Sequence, residues 1–257
     1  METLPPPDQP QLNAHEAGLD LRGRREPLDR LIVALDFPSA ALATEMADQL
    51  QGVCRWFKVG MELYYAAGNA VVERLRERGF EVFLDLKLHD IPNTVAGAVR
   101  SVAGVGASLL TVHAAGGERM LRAASQAASA PGAPKLLAVT VLTSMDAAEL
   151  RSVGVTDTTP SQVLRLAQLA RSAGIDGLVC SAEEVAAVRE LMGPNALLVT
   201  PGIRPSGAGL GDQSRIATPS EAIASGASML VVGRPITQAA DPAEAAAAIL
   251  EAIRQLS

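Results

Sequence analysis

The stretch from Val82 to Val95 reads Val-Phe-Leu-Asp-Leu-Lys-Leu-His-Asp-Ile-Pro-Asn-Thr-Val, and sets Asp85, Lys87 and Asp90 into and just past an apolar run. On a strand, residues two apart share a face, so Asp85 and Lys87 are expected to point the same way. A charged pair at the end of an apolar strand is costly to bury unless it is paired. Two arrangements meet that demand. One is a strand-end ion pair, with Asp90 capping the next helix and Pro92 in its first turn. The other is a catalytic charge array, an ammonium held among carboxylates at the mouth of a barrel, suited to moving a proton.

A second group of residues suits an anion. Thr200-Pro201-Gly202-Ile203-Arg204 and Gly233-Arg234-Pro235-Ile236-Thr237 each follow an apolar run. Gly233 allows close backbone approach, and Pro235 fits the first turn of a helix whose free N–H groups attract negative charge. Arg204 and Arg234 add charge-assisted forks; the plain alternative is that both are solvated loop residues. Pro205–Gly211 is rich in Gly, Ser and Ala and leads into Asp212-Gln213-Ser214-Arg215. Over residues 203–216 this reads either as a lid closing over phosphate, with Gln213 as its polar contact, or as a surface loop.

These residues need a scaffold. Apolar runs of strand length alternate with helical patterns from Leu28 onward: Leu31–Leu35, Val53–Val59, Phe80–Leu84, Ser108–Val112, Leu136–Leu142, Gly177–Cys180, Ala196–Val199 and Met229–Val232. Between them, Val95, Ala98, Val99 and Val102 repeat at helical spacing, as do Val163, Leu166, Ala167 and Ala170, and Ala246, Ile249, Leu250 and Ile253. Near-continuous apolar strands alternating with helices imply a parallel sheet covered on its outer face. Eight such units predict an α/β fold of the (β/α)8 TIM-barrel type, a single domain over residues 28–257. An open doubly wound sheet is less apt, with no Gly-x-Gly-x-x-Gly after the first strand.

Active sites of such barrels lie at the C-terminal strand ends, often with phosphate held by the loops after strands seven and eight. Polar residues stand where the runs stop: Asp36, Lys58, Asp85, Lys87, His113, Thr143, Ser144, Thr200, Gly233 and Arg234.

Composition limits the partners. Hydrophobic residues make up 48% of the 257 and charged residues 19%, as in a globular protein with a substantial core. A net charge of −6 and 3% aromatic content argue against nucleic acid or an anionic membrane, so any anionic ligand must rely on a local basic cluster. Cys54 and Cys180 sit in apolar runs and match no metal spacing, and with His15, His89 and His113 they assemble no zinc motif. No apolar segment reaches the roughly 20 residues of a membrane helix, and a cytoplasmic location is expected. Residues 1–27, with Pro5, Pro6, Pro7 and Pro10, read as a flexible extension.

The constellation resembles the orotidine 5′-phosphate decarboxylase family in its bacterial form, from Leu28 to the C-terminus. Asp85-Leu86-Lys87-Leu88-His89-Asp90-Ile91-Pro92-Asn93-Thr94 is its most specific piece. Leu35-Asp36, Lys58-Val59-Gly60, Leu142-Thr143-Ser144, Thr200–Arg204, Asp212-Gln213 and Val232-Gly233-Arg234 complete it. The resemblance implies a cofactor-free, metal-free enzyme of pyrimidine biosynthesis that converts orotidine 5′-monophosphate to UMP. Lys58, Asp85, Lys87 and Asp90 would form an alternating charged tetrad, with Lys87 the proton donor and Asp90 coming from the other subunit of a homodimer with shared sites. Asp36 and Lys58 would contact the ribose and Thr143 would lie over the nucleotide. Gln213, Gly233 and Arg234 would hold the phosphate beside Arg204, and Ile91 and Thr94 would reach across the interface.

The nearest alternative is a magnesium-dependent sugar-phosphate decarboxylase or synthase of the same barrel type, such as 3-keto-L-gulonate 6-phosphate decarboxylase. Those enzymes share an Asp-x-Lys-x-x-Asp signature but hold the metal partly by a strand-two carboxylate, where this chain has Lys58. A non-catalytic phosphate-binding barrel is a further alternative, though it would be free to lose Asp85 or Lys87.

Overall fold

The computed structural model describes residues 26–175, 177–205 and 216–255. The expected extension therefore lies outside the described residues except for Glu26 and Pro27, and so do Gln213 and most of the expected lid.

Eight strands close a parallel barrel: β1 Leu31–Ala34, β2 Trp56–Gly60, β3 Glu81–Leu88, β4 Leu109–His113, β5 Lys135–Val139, β6 Gly177–Val179, β7 Leu197–Thr200 and β8 Met229–Val232. Each pairs in parallel with the next, and β8 returns to β1 through Leu31↔Leu230 and Ile32↔Val231. Helices follow the strands and cover them, as the alternation of runs predicts.

Strand periodicity divides the apolar residues into two separate clusters. Ile32, Trp56, Phe83, Leu109, Leu137, Val199 and Val231 pack together inside the barrel. Their sequence neighbours Val33, Phe57, Leu84, Leu110, Ala138, Leu198 and Val232 join the larger cluster between sheet and helices. Alternation of side chains across the pleat is the cause. Trp56, Phe57 and Phe83 are among the largest fully buried side chains, and each such residue contributes roughly 1.5–3 kcal/mol of burial.

The helices begin where the sequence supplies caps. Ser39, Asp146, Thr158, Thr218 and Asp241 each accept a backbone N–H in the first turn, and Thr218 and Glu221 form a reciprocal capping box. The predicted buried faces of Thr159–Ser172 and Pro242–Arg254 are buried residue for residue. On the helix Pro92–Ala103 the buried set is Val95, Ala96, Val99 and Val102, so Ala96 takes the place expected of Ala98, which is half-buried.

One ladder is irregular. β3 and β4 are in register at Leu84↔Leu110 and again at Leu88↔Val112. Four steps along β3 (84 to 88) thus span two along β4 (110 to 112), leaving two surplus residues in β3. Within this bulge Lys87 has φ +50°, the sole non-glycine residue with positive φ among those described. That left-handed conformation is disfavoured for an L side chain by roughly 1–3 kcal/mol and marks a place the surroundings over-determine.

Candidate active site

The inward register of the strands carries the site. Above Ala34 stands Asp36, above Trp56 stands Lys58, and above Phe83 stands Asp85, each two residues further along the same face. These side chains line a cavity of about 680 Å³ at the C-terminal end of the barrel, together with Lys87, Thr143, Ser144, Gly202, Arg204, Gly233 and Arg234. Its apolar floor comes from Ala34, Phe83, Val139, Val179 and Val231. The size suits a small-molecule ligand, and apolar walls with a few convergent polar groups are what such sites present.

The charges alternate in sign across the cavity. Lys58 Nζ donates to Asp36 Oδ1 at 2.8 Å and lies 3.8 Å from Asp85 Oδ2. Lys87 Nζ donates to both oxygens of Asp85 at 2.9 Å. Lys58 and Asp85 side chains are only 11% and 13% exposed and Lys87 28%, so each charge depends on its neighbours. Removing one member of such a buried pair leaves the other uncompensated, at about 3–5 kcal/mol. Gly60 makes room for the array: a Cβ there would stand 2.9 Å from Lys58 Nζ and 3.1 Å from Asp36 Oδ1.

The bulge changes how Asp85 and Lys87 come to face one another. Simple alternation predicts the shared face, but the strand is not regular there, and the left-handed turn at Lys87 brings its ammonium onto Asp85. Asp90 does not cap the next helix. Its Oδ1 accepts the Ile91 N–H at 2.6 Å, Ile91 itself is the N-cap residue with no side-chain bond, and Pro92 opens the first turn as expected.

The basic end of the cavity is formed by Arg204 and Arg234. Arg204 is buried, donates to the Ile203 carbonyl at 2.9 Å, and its guanidinium is held below its ordinary pKa first by burial and then by Arg234. Two like charges that disfavour each other at the end of β7 and β8 form a place where an anion relieves repulsion. Arg234 begins a four-residue helix with Gly233 as its N-cap residue.

Other expected positions fall outside this cavity. Asp90, Ile91 and Thr94 are exposed on the surface beyond β3 and do not line it, Ile91 at 67% exposure. Within one chain the charge array therefore runs Asp36–Lys58–Asp85–Lys87. Thr200 is fully buried on the outward register of β7, shared with Leu198, and does not line the cavity. His113 stacks on His89 with ring centroids 5.3 Å apart and has a buried, unpartnered Nδ1; burial first, then His89 and Lys87, keep it below the usual imidazole range. Thr111, which nothing in the sequence pattern singles out beyond a lone hydroxyl on the inward register of an apolar run, touches both Asp85 and the Lys87 backbone with its hydroxyl.

Comparison with known proteins extends this picture. The family described as orotidine 5′-phosphate decarboxylase / HUMPS matches residues 29–249. An orotidine 5′-phosphate decarboxylase of Halorhodospira halophila is 60% identical over 222 residues, 86% of this chain and 94% of that protein. One from Moorella thermoacetica is 50% identical over 240 residues, 91% of this chain and 95% of its own. The crystal structure of orotidine 5′-phosphate decarboxylase from Lactobacillus acidophilus superposes with a TM-score of 0.78 at 41% identity, covering 88% of this chain and 99% of that one.

Proposed function

The chain belongs to the orotidine 5′-phosphate decarboxylase / HUMPS family and decarboxylates orotidine 5′-monophosphate to UMP in pyrimidine biosynthesis, and from that premise we propose that Lys87 is its proton donor. The observation that carries the assignment is the Lys87 ammonium held by both oxygens of Asp85 at the rim of the barrel cavity.

The reaction breaks the bond between C6 of the pyrimidine and its carboxylate, and the electron pair stays on C6. No adjacent carbonyl takes up that charge directly. An ammonium fixed beside C6 stabilises the developing charge electrostatically and then delivers a proton to it. Lysine suits the step because its charge is compact and the group can release its proton, which arginine does not do in proteins. Asp85 positions Lys87, and Lys58 balances Asp85 from the other side.

Substrate binding is assigned by chemistry to the same cavity. Asp36 and Lys58 take the ribose hydroxyls, Thr143 lies over the nucleotide, and Gly233, Arg234 and Arg204 hold the phosphate, with Gln213 completing its contacts. Binding energy at the phosphate, away from the reacting carbon, assists the chemical step by orienting the base and excluding water. Asp90, Ile91 and Thr94, exposed and outside the cavity of their own chain, are assigned to the site of a second copy in a homodimer. With Lys58 on β2, the position a magnesium-dependent relative would give to a carboxylate repels a cation instead.

Loss of the substrate's ultraviolet absorbance, with and without a chelator, tests the assignment. Turnover is expected to be unchanged by the chelator. Lys87→Ala is expected to lose at least the 10²–10⁴-fold typical of a missing general acid, while UMP still binds. Near-normal turnover of that variant would remove Lys87 from its role, and chelator sensitivity would favour the metal-dependent relatives.

A further inference from the structure

Thr111 lies in the middle of β4 on the inward register between Leu109 and His113, and it is fully buried. Its hydroxyl is used twice. It donates to Asp85 Oδ1 at 3.0 Å and accepts the Lys87 N–H at 2.8 Å. The second bond falls within the gap in the β3–β4 ladder, between Leu84↔Leu110 and Leu88↔Val112. There the threonine side chain serves the Lys87 N–H where a regular ladder would use a β4 carbonyl. A buried N–H left without an acceptor is destabilising, and a hydroxyl is the small group able to accept from one partner while donating to another.

We propose that Thr111 is a positioning residue for decarboxylation: it pins the backbone of Lys87 and the carboxylate of Asp85 to one oxygen and so fixes the ammonium relative to the reacting carbon. Lys87 sits in a left-handed conformation that the chain does not favour on its own. Without an anchor, the bulge has other conformations available, and the ammonium moves with the backbone. Displacement of a reacting group by about 1 Å is enough to lower rate roughly 10²-fold while leaving most binding contacts intact. The proposal rests on Lys87 as proton donor.

The test compares Thr111→Val, which keeps the shape and removes the hydroxyl, with Thr111→Ser, which keeps the hydroxyl. Thr111→Ala serves as a smaller hydroxyl-free variant should valine prevent folding, and Lys87→Ala is the control. The expected result is a kcat about 10- to 100-fold lower in the valine or alanine protein, with KM and UMP affinity within about threefold, and near-complete recovery in serine. Wild-type kcat without the hydroxyl would overturn the proposal. So would a serine variant as slow as the others, or a loss of UMP affinity and thermal stability that matches the loss of kcat. An inactive Lys87→Ala beside a fully active Thr111→Val would discard the role of Thr111 alone; an active Lys87→Ala would discard the role of Lys87 itself.

Discussion

Two arginines at the ends of neighbouring strands line one cavity and differ in how they are placed. Arg204 is buried and tied to its own loop carbonyl, so its guanidinium is fixed before any ligand arrives. Arg234 starts the short helix after β8, beside the same cavity. A charged hydrogen bond contributes roughly 1.5–3 kcal/mol. Arg234→Ala is therefore expected to lower kcat/KM about 10- to 150-fold, mostly through KM, and to weaken inorganic phosphate as a competitive inhibitor. Unchanged phosphate inhibition would move the anion site elsewhere. Arg204, Arg234, Lys87 and Asp85 were legible in the sequence because charge at the end of an apolar run is conspicuous. Thr111 was not, because one hydroxyl among Leu109, Leu110 and Val112 is compatible with any strand.

At the scale of elements, the run of strands and helices could be read because continuous apolar runs of strand length alternate with segments of helical period. Buried faces on Thr159–Ser172 and Pro242–Arg254 fall where spacing puts them. The bulge in β3 escaped that reading, since no glycine or proline marks it and Leu-Asp-Leu-Lys-Leu alternates without a break. The closing of the barrel's lower rim was equally hidden. Arg189, on the helix Val185–Met192, donates to the carbonyls of Gly193, Pro194, Ala196 and Gly226 and to the Ser228 hydroxyl. On sequence it is one more charged helix residue. Its replacement by Met keeps the aliphatic bulk but leaves half-buried carbonyls without their donor. About 2–4 kcal/mol of stability should be lost, measured by denaturant unfolding, with kcat unchanged in the folded fraction. A loss under about 0.5 kcal/mol, typical of a surface substitution, would show that water replaces the guanidinium at no cost.

For the whole molecule, a net charge of −6 means that an anionic ligand depends on a local basic cluster, and Lys58, Lys87, Arg204 and Arg234 line one cavity at the end of the closed cylinder. The cavity of one chain is lined by Asp36, Lys58, Asp85 and Lys87, while Asp90, Ile91 and Thr94 are exposed and do not line it. If a second copy supplies those residues, mixing inactive Lys87→Ala and Asp90→Ala proteins should regenerate activity. In a mixed dimer one of the two sites receives both native residues. The recovery should follow the fraction of mixed dimers and approach half a native dimer's turnover for each. No recovery after subunit exchange would mean that each chain builds its site alone.

The two surplus residues of β3 have a consequence for how the cylinder holds its charged groups. Pairing with β4 resumes at Leu88↔Val112, so the interruption is confined to a short part of that one ladder. Asp85 is still held by its pairing with Gly60 on β2, whereas the Lys87 N–H answers to a threonine hydroxyl in place of the regular β3–β4 ladder. The barrel thus stays shut on both sides of an irregular stretch, and the ammonium at its cavity is aimed by side-chain bonds where the ladder lapses.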